Sequence, residues 1–408
     1  MEATLEKKEG FQKTKIGWIP IDWEVKVLGE IGETVNGLTY SPKDINENGV
    51  LVLRSSNVQN RQIVFDDNVF VSVEDGKYNP VLENDILICV RNGSRSLIGK
   101  NALISEESEG MAFGAFMAVY RSPLNKYIIH LLDTDLYNRE IHKNLGATIN
   151  SINGSNLRKF KFPIPPQGER EKIAKVLSTW DQAISETQSL INQLNARKKG
   201  LMQQLLTGKK RLKGFDKEWD SVQLGDYLKK HSEVSSENNQ FPVLTSSRHG
   251  LYFQSDYYKK EVASKDNTGY NVVPRGYFTY RHMSDDLVFK FNINELCDKG
   301  IVSTLYPVFT VKDGLHKEYL LNLLNEGEEF RRHALKQKQG GSRTYMYFGK
   351  LSQMEVRLPS IEEQNAIVAF INTIDSEILS YSQKLDSFTN QKKGLMQQLL
   401  KGQKRVKV

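Results

Sequence analysis

The stretch KKGLMQQLL fills residues 198–206, and the same nine letters fill residues 392–400, 194 positions later. Extended without a gap, the match runs from residues 146–213 onto residues 340–407: Pro165 meets Pro359, Glu169 meets Glu363, Ile173 meets Ile367, Asp181 meets Asp375 and Ile184 meets Ile378. Internal repetition of this kind fixes the architecture before any other feature is weighed. A weaker echo precedes each copy. WEVKVLGEI (residues 23–31) resembles WDSVQLGDY (219–227), and VLRSSNV (52–58) resembles VLTSSRH (243–249). Between these islands the two halves diverge in sequence and in length. The chain is a variable segment followed by a shared one, and then both again.

The shared segment has helical spacing. Counted in sevens from Leu177, one stripe holds Leu177, Trp180, Ile184, Thr187, Ile191, Leu194, Lys198, Leu201 and Leu205. The second copy places Ile371, Ile374, Ile378, Tyr381, Leu385, Phe388, Lys392, Leu395 and Leu399 at the same points. A 3-4 apolar alternation held over four heptads predicts a coiled-coil seam. Prolines (Pro165, Pro166; Pro359) precede each helix and glycine (Gly208; Gly402) follows it, as start and stop signals should. Both seams contain a lysine, Lys198 or Lys392. Such a residue either fixes register at some cost in stability or runs its stem along the seam to put its charge in solvent. Each apolar stripe must be covered. The simplest cover for the first helix is the second, packed antiparallel about an internal pseudo-twofold axis. The alternative is a coiled coil between two chains.

The variable segments mix β-prone runs (LVLRSSNV, DILICV, MAVYRS, GYFTYR, LYPVFTV) with helical ones (KYIIHLLDTDLYNREIHKNL, KEYLLNLLNEGEEFRRHALKQK). This predicts an α+β class with irregular connections. The expected segments are a tail at 1–13, a globular domain at 14–162, a helical spacer at 163–213, a second globular domain at 214–357 and a second spacer at 358–408.

With 408 residues, 39% of them hydrophobic and 26% charged, the chain has the composition of an ordinary globular protein. No apolar run approaches the ~18–20 residues that span a bilayer, and the charged start MEATLEKKEGFQKTK shows no signal peptide. Cys89 and Cys297 lie far apart without metal-ligand spacing. They read as free thiols of a reducing cytoplasm. The net charge of +7 is unevenly spread: residues 197–213 and 391–408 together carry +13, so the rest of the chain sums to −6. Cations at a helix C-terminus offset the macrodipole. That effect fades beyond the last turn, whereas GKKRLK continues past it, so contact with a polyanion is a second reading.

Catalytic motifs are missing. GSRSLIGKN (residues 93–101) has five residues between its glycines where a P-loop has four, and Asn101 stands where Ser or Thr is needed. There is no GxGxxG after a strand, no HExxH, no GxSxG, and no Asn/Asp-Pro-Pro-aromatic motif of the kind amino-methyltransferases use to hold a flipped base. What remains is binding. Polar-basic islands punctuate the β-rich parts at corresponding points of both halves: Arg54, Ser55, Ser56 and Asn57; Arg91, Asn92, Ser94, Arg95 and Lys100; Thr148, Asn150 and Asn153. In the second half they are Thr245, Ser246, Ser247, Arg248 and His249; Tyr280, Arg281 and His282; Ser342, Arg343, Thr344, Tyr345 and Tyr347. Arginine can bond guanine bidentately and asparagine adenine, while Ser and Thr serve phosphates or bases. Each island taken alone could equally be a solvated turn.

With repeat, seam and islands together, the chain resembles the specificity subunit of type I restriction–modification enzymes over essentially its whole length. The resemblance rests on W-x4-L-G opening each half (Trp23, Leu28, Gly29; Trp219, Leu224, Gly225), on LPSIEEQ at residues 358–364, and on the doubled helix end KKGLMQQLL-x-G followed by basic residues. The second copy has Gln403 where the first has Lys209, and the first helix start carries Arg170 where the second has Gln364. The resemblance implies two target recognition domains that read a bipartite site in double-stranded DNA, separated by the paired helices. It implies no catalysis and no cofactor on this chain. Two modification subunits that use S-adenosylmethionine to methylate adenine N6, and two restriction subunits that use ATP and Mg, would assemble on it. A helix of ~40 residues is ~60 Å long, which at ~3.4 Å per base pair corresponds to roughly 17 base pairs.

Overall fold

Proline before and glycine after each shared segment bound two continuous helices. In the computed structural model, which describes residues 9–407 apart from 75, 146–149, 259–265 and 339–341, they run Gln167–Leu205 and Ile361–Leu399, 39 residues each. Gly208 and Gly402 end them in the left-handed region, at φ 68° and 64°. There a backbone bond reaches back from Lys210 to Gln204 and from Lys404 to Gln398, 3.2 Å in both copies. A Cβ on Gly402 would also collide with Pro20, so glycine is required there twice over. No helix among the described residues is long and apolar enough to cross a membrane.

By its contacts the chain forms two units, residues 1–187 with 384–408, and residues 188–383. This division cuts both long helices, and so differs from the five segments suggested by the sequence. In the first unit Ile173, Ala174 and Leu177 share a core with Met396, Leu399 and Leu400, and Trp180 meets Phe388 edge-on at 5.5 Å. In the second, Met202, Leu205 and Leu206 share a core with Ile367, Val368 and Ile371. In both, the start of one helix lies against the end of the other, so the pairing is antiparallel and within one chain.

Every expected seam position among the described residues is buried or half-buried: Leu177, Ile191, Leu194, Leu205, Ile371, Ile374 and Leu399 fully, and Trp180, Ile184, Leu201, Ile378, Leu385, Phe388 and Leu395 partly. The seam lysines form ion pairs across the two helices. Lys198 Nζ lies 2.6 Å from the Asp375 carboxylate. Lys392 Nζ lies 2.5 Å from Asp181 and 3.5 Å from Asp133. Because Asp181 and Asp375 are the same position of the repeat, each lysine finds in the other helix the partner that its own copy carries.

Each unit holds a four-stranded antiparallel sheet. The first runs Glu33–Asn36, Met117–Arg121, Ile86–Cys89, Asn101–Leu103 across the sheet. The second runs Leu228–His231, Val308–Val311, Phe278–Tyr280, Phe291–Ile293. In chain order both are 1-4-2-3, although the sequences do not align. Alternation along each strand sends Ile86, Ile88, Ala118 and Tyr120 toward the helices, and Leu87, Cys89, Met117 and Val119 into a second core on the other face. The echo of VLRSSNV in VLTSSRH has a structural counterpart as well: Val52 pairs in parallel with Ala112, and Val243 with Ile301. After each sheet come two helices, Asn125–Leu131 and Asp135–Asn144 or Lys317–Glu326 and Glu328–Lys336.

A strand then returns to pair with the W-x4-L-G segment: Lys161–Ile164 with Glu24–Val27, and Glu355–Leu358 with Asp220–Gln223. This brings each tryptophan to the start of the following long helix. The Trp23 indole donates to Glu169 at 3.0 Å and the Trp219 indole to Glu363 at 3.1 Å. Arg405 grips Glu169 at 2.7 and 2.8 Å, and Arg211 grips Glu363 at 2.5 and 2.6 Å. These two arginines of the basic runs are therefore engaged by the protein's own carboxylates, which leaves Arg197 and the exposed lysines for that reading.

Candidate nucleic-acid interface

Strand Ile86–Cys89 ends in the first unit at the island that begins with Arg91. The Ile152 amide donates to the Val90 carbonyl at 2.9 Å and the Asn92 amide to Asn150 at 3.3 Å, so two islands distant in sequence lie side by side. A third joins them. Asn92 Nδ2 donates to Ser55 Oγ at 3.2 Å, Lys100 Nζ to the Ser55 carbonyl at 3.1 Å, and Asn150 Nδ2 to the Gly93 carbonyl at 3.0 Å. An open concavity is lined by Ser55, Ser56, Asn92 and Lys100, while Arg91, Ser94 and Arg95 are exposed. Arg54 pairs with Asp67 at 2.8 Å. The arrangement is amide- and hydroxyl-rich, with few free cations.

The second unit builds the corresponding place differently. The Met346 amide donates to the His282 carbonyl at 2.7 Å, the counterpart of the bond from Ile152 to Val90. Residues 283 and 284 pair with 345 and 344. Arg248 makes a two-pronged contact with Asp286 at 2.6 and 2.8 Å. Arg343 Nε donates to Asp285 at 2.9 Å. Arg248, followed by Ser284, holds the Asp286 carboxyl well below the usual range, at about 2. His282 stacks on Tyr347 at 4.8 Å, and Tyr347 on Tyr345 at 5.8 Å, with both tyrosines exposed. Arg248, His249, Arg281, Ser284, Asp285 and Tyr258 line one concavity.

Several of the expected contact residues are buried or already bonded within the protein. Tyr280 is fully buried and donates to the Met346 carbonyl. Asn57 is fully buried and donates to Val64 and Asp67 carbonyls. Thr245, Ser246, His282 and Thr344 are buried too; Ser246 takes a bond from Asn292, and His282 Nδ1 is matched to the Leu305 carbonyl. Asn153 caps the short helix Gly154–Leu157, and Ser247 closes a turn on Gly250. These side chains are bonded within the protein, while Thr245, Ser246 and Ser247 also line the concavity with Arg248, and Asn153 stays exposed. Thr148 lies outside the described residues, and Ser342 is exposed.

Sequence reasoning missed Asp285 and Asp286, because acids look unsuited to a polyanion. It also passed over the exposed side chains of Phe116 and Leu305, because only polar islands were considered. Nothing among the described residues groups three potential metal ligands. Cys89 and Cys297 are free thiols, both pushed up by burial.

The frame is thus one module built twice, and known proteins define its class. The type I restriction modification DNA specificity domain matches residues 20–196 and again 216–387, and the chain belongs to that family. A Methanocaldococcus jannaschii protein assigned as the MjaX type I restriction enzyme specificity subunit is 29% identical over 98% of both chains. The EcoKI specificity subunit of Escherichia coli is 28% identical over 58% of this chain and 51% of its own length. The S subunit of a type I system from M. genitalium has the same fold, with a TM-score of 0.55 at 15% identity over 93% of this chain and 96% of its own. A chain from a study of type I complex assembly and conformational transition gives a TM-score of 0.56 at 15% identity, over 94% of this chain and 99% of its own.

Proposed function

We propose that this chain reads a two-part DNA target for a type I restriction–modification complex and does no chemistry itself. The observation that carries this reading is one backbone frame built twice and dressed with different polar side chains. Asn92, Asn150 and Ser55 meet in one unit, and Arg248, Arg343 and their aspartates in the other. Two different faces on one frame suit two different half-sites, since base edges are told apart by donor and acceptor pattern. Duplication also supplies two equivalent surfaces, which supports assembly with two copies each of a modification and a restriction subunit. S-adenosylmethionine, ATP and Mg²⁺ would belong to those partners. The paired helices would set the spacing between half-sites, and the exposed lysines at the helix ends, such as Lys209 and Lys401, add charge for the phosphates.

Mapping of N6-methyladenine in the host tests this directly. With the gene present, one motif of two specified parts around an unspecified spacer should be methylated. Without it that motif should disappear, and a methylome unchanged by deletion refutes the assignment. The purified chain, given S-adenosylmethionine and DNA alone, should transfer no methyl group.

A further inference from the structure

In each unit one large apolar side chain stands in solvent beside the polar islands, at the same point of the frame. Phe116 is 57% exposed and Leu305 is 44% exposed. Backbone bonds establish their equivalence where the sequences do not. The Val90 amide donates to the Phe116 carbonyl at 3.0 Å, and the His282 amide, at the position matching Val90, donates to the Leu305 carbonyl at 3.2 Å. Each residue is third in a four-residue turn closed by a single bond, Met117 N to Gly114 O at 2.8 Å and Tyr306 N to Ser303 O at 3.0 Å. In the first unit the Arg91 guanidinium lies over the Phe116 ring, 5.2 Å from its centre.

A single exposed hydrophobic residue needs no explanation. Two at one structural position, in halves whose neighbouring surface residues differ, call for a shared cause. The polar residues around them change from amides to arginine–aspartate pairs, as reading two sequences would require. The residue at the turn tip stays large and apolar, so its role does not depend on which bases are read. Proteins that deform a duplex press Phe, Leu, Ile, Met or Pro side chains between base steps. Phe and Leu are both in that set, and a rigid turn is what such a tip needs.

We propose that Phe116 and Leu305 are apolar wedges, each pressed between base pairs in one half of the bound duplex so that the stack opens there. The inference rests on the DNA-reading assignment above. It gives the subunit a part in the reaction of its partners, because a methyltransferase must take its target base out of the stack.

The test uses the chain assembled with its modification subunits, on duplexes that carry the mapped target with 2-aminopurine at successive positions of each half-site. The wild-type complex should raise 2-aminopurine fluorescence at one step in each half. Phe116→Ala should abolish the rise in one half only, and Leu305→Ala in the other only. Each should weaken binding roughly tenfold, with the methylated sequence unchanged, and Phe116→Leu should keep the rise. No rise in the wild type, a rise that survives both alanine variants, or a changed target sequence would each overturn the wedge. A wild-type complex that binds all duplexes alike would instead overturn the DNA-reading assignment beneath it, and that outcome is visible before any variant is made. Because both side chains are exposed, the thermal midpoints of the alanine variants should match the wild type.

Discussion

Glu169 and Glu363 each hold three structural segments with one carboxylate. Both are buried, each accepts from a tryptophan indole, and each is gripped by an arginine from beyond the end of the other long helix. Removing the carboxylate leaves an indole N–H and a guanidinium without their acceptor. Losing one partner of a buried ion pair costs about 3–5 kcal/mol. Since Arg405 is half exposed and keeps Asp22, Glu169→Ala should cost less, about 2 kcal/mol, read from the urea midpoint. His130 supplies a pH dependence. It is buried against Asp181 at 3.4 Å and Ser178 Oγ at 3.2 Å, with Lys392, Arg61 and Asp133 around it. Burial first, then Lys392 and Arg61, push it down to about 3. The native imidazole therefore stays neutral while the unfolded one gains a proton below about 6.5. Its contribution is fully present above that value and is lost as the pH falls through the window from about 6.5 to 3. Between pH 7 and pH 5 this group alone should remove about 2 kcal/mol. His130→Asn should lose less stability over the same interval in urea titrations, and an equal loss would refute the assignment.

The long helices were legible because a 3-4 period over four heptads leaves few other ways to bury the stripe, and because Gly208 and Gly402 sit where only a left-handed residue ends the helix. Strands such as Ile86–Cys89 and Phe278–Tyr280 were legible as runs. Their common 1-4-2-3 order was not, because pairing is non-local and the cores use different volumes. Ile86, Ile88 and Tyr120 fill one, and Phe278, Tyr280 and Phe309 the other. Polar letters misled for a related reason: Thr245 and Tyr280 lie on strands, where alternation turns half of all side chains inward. The seam lysines looked ambiguous in sequence because their partners lie on the other helix, 177 residues away for Lys198 and 211 for Lys392. That pairing sets up a swap experiment. Lys392→Asp places like charges at Asp133 and Asp181 and should lower the urea midpoint. Asp181→Lys added to it should recover most of the loss, because the two sites exchange signs. Failure of the double variant to exceed the single one would mean that the pair does not set register.

At the scale of the molecule, helix length is the quantity that evolution or an engineer can change without touching either set of reading residues. Each residue adds ~1.5 Å along a helix, so four inserted after Gln188 add ~6 Å and slightly more than a whole turn. Near-integral turns matter, because an insertion of two would rotate the remaining seam residues, Ile191 and Leu194 among them, off the partner. The same four residues after Ser382, the matching point of the second copy, would keep both the Lys198–Asp375 and the Lys392–Asp181 pairs available. If the paired helices set the spacing, this lengthened chain should direct methylation to a target with both half-sites unchanged and about two more unspecified base pairs between them. Methylome sequencing of cells carrying it reads the spacer directly. An unchanged spacer would assign spacing to some other part of the complex, and altered half-sites would show that the insertion had reached the reading faces.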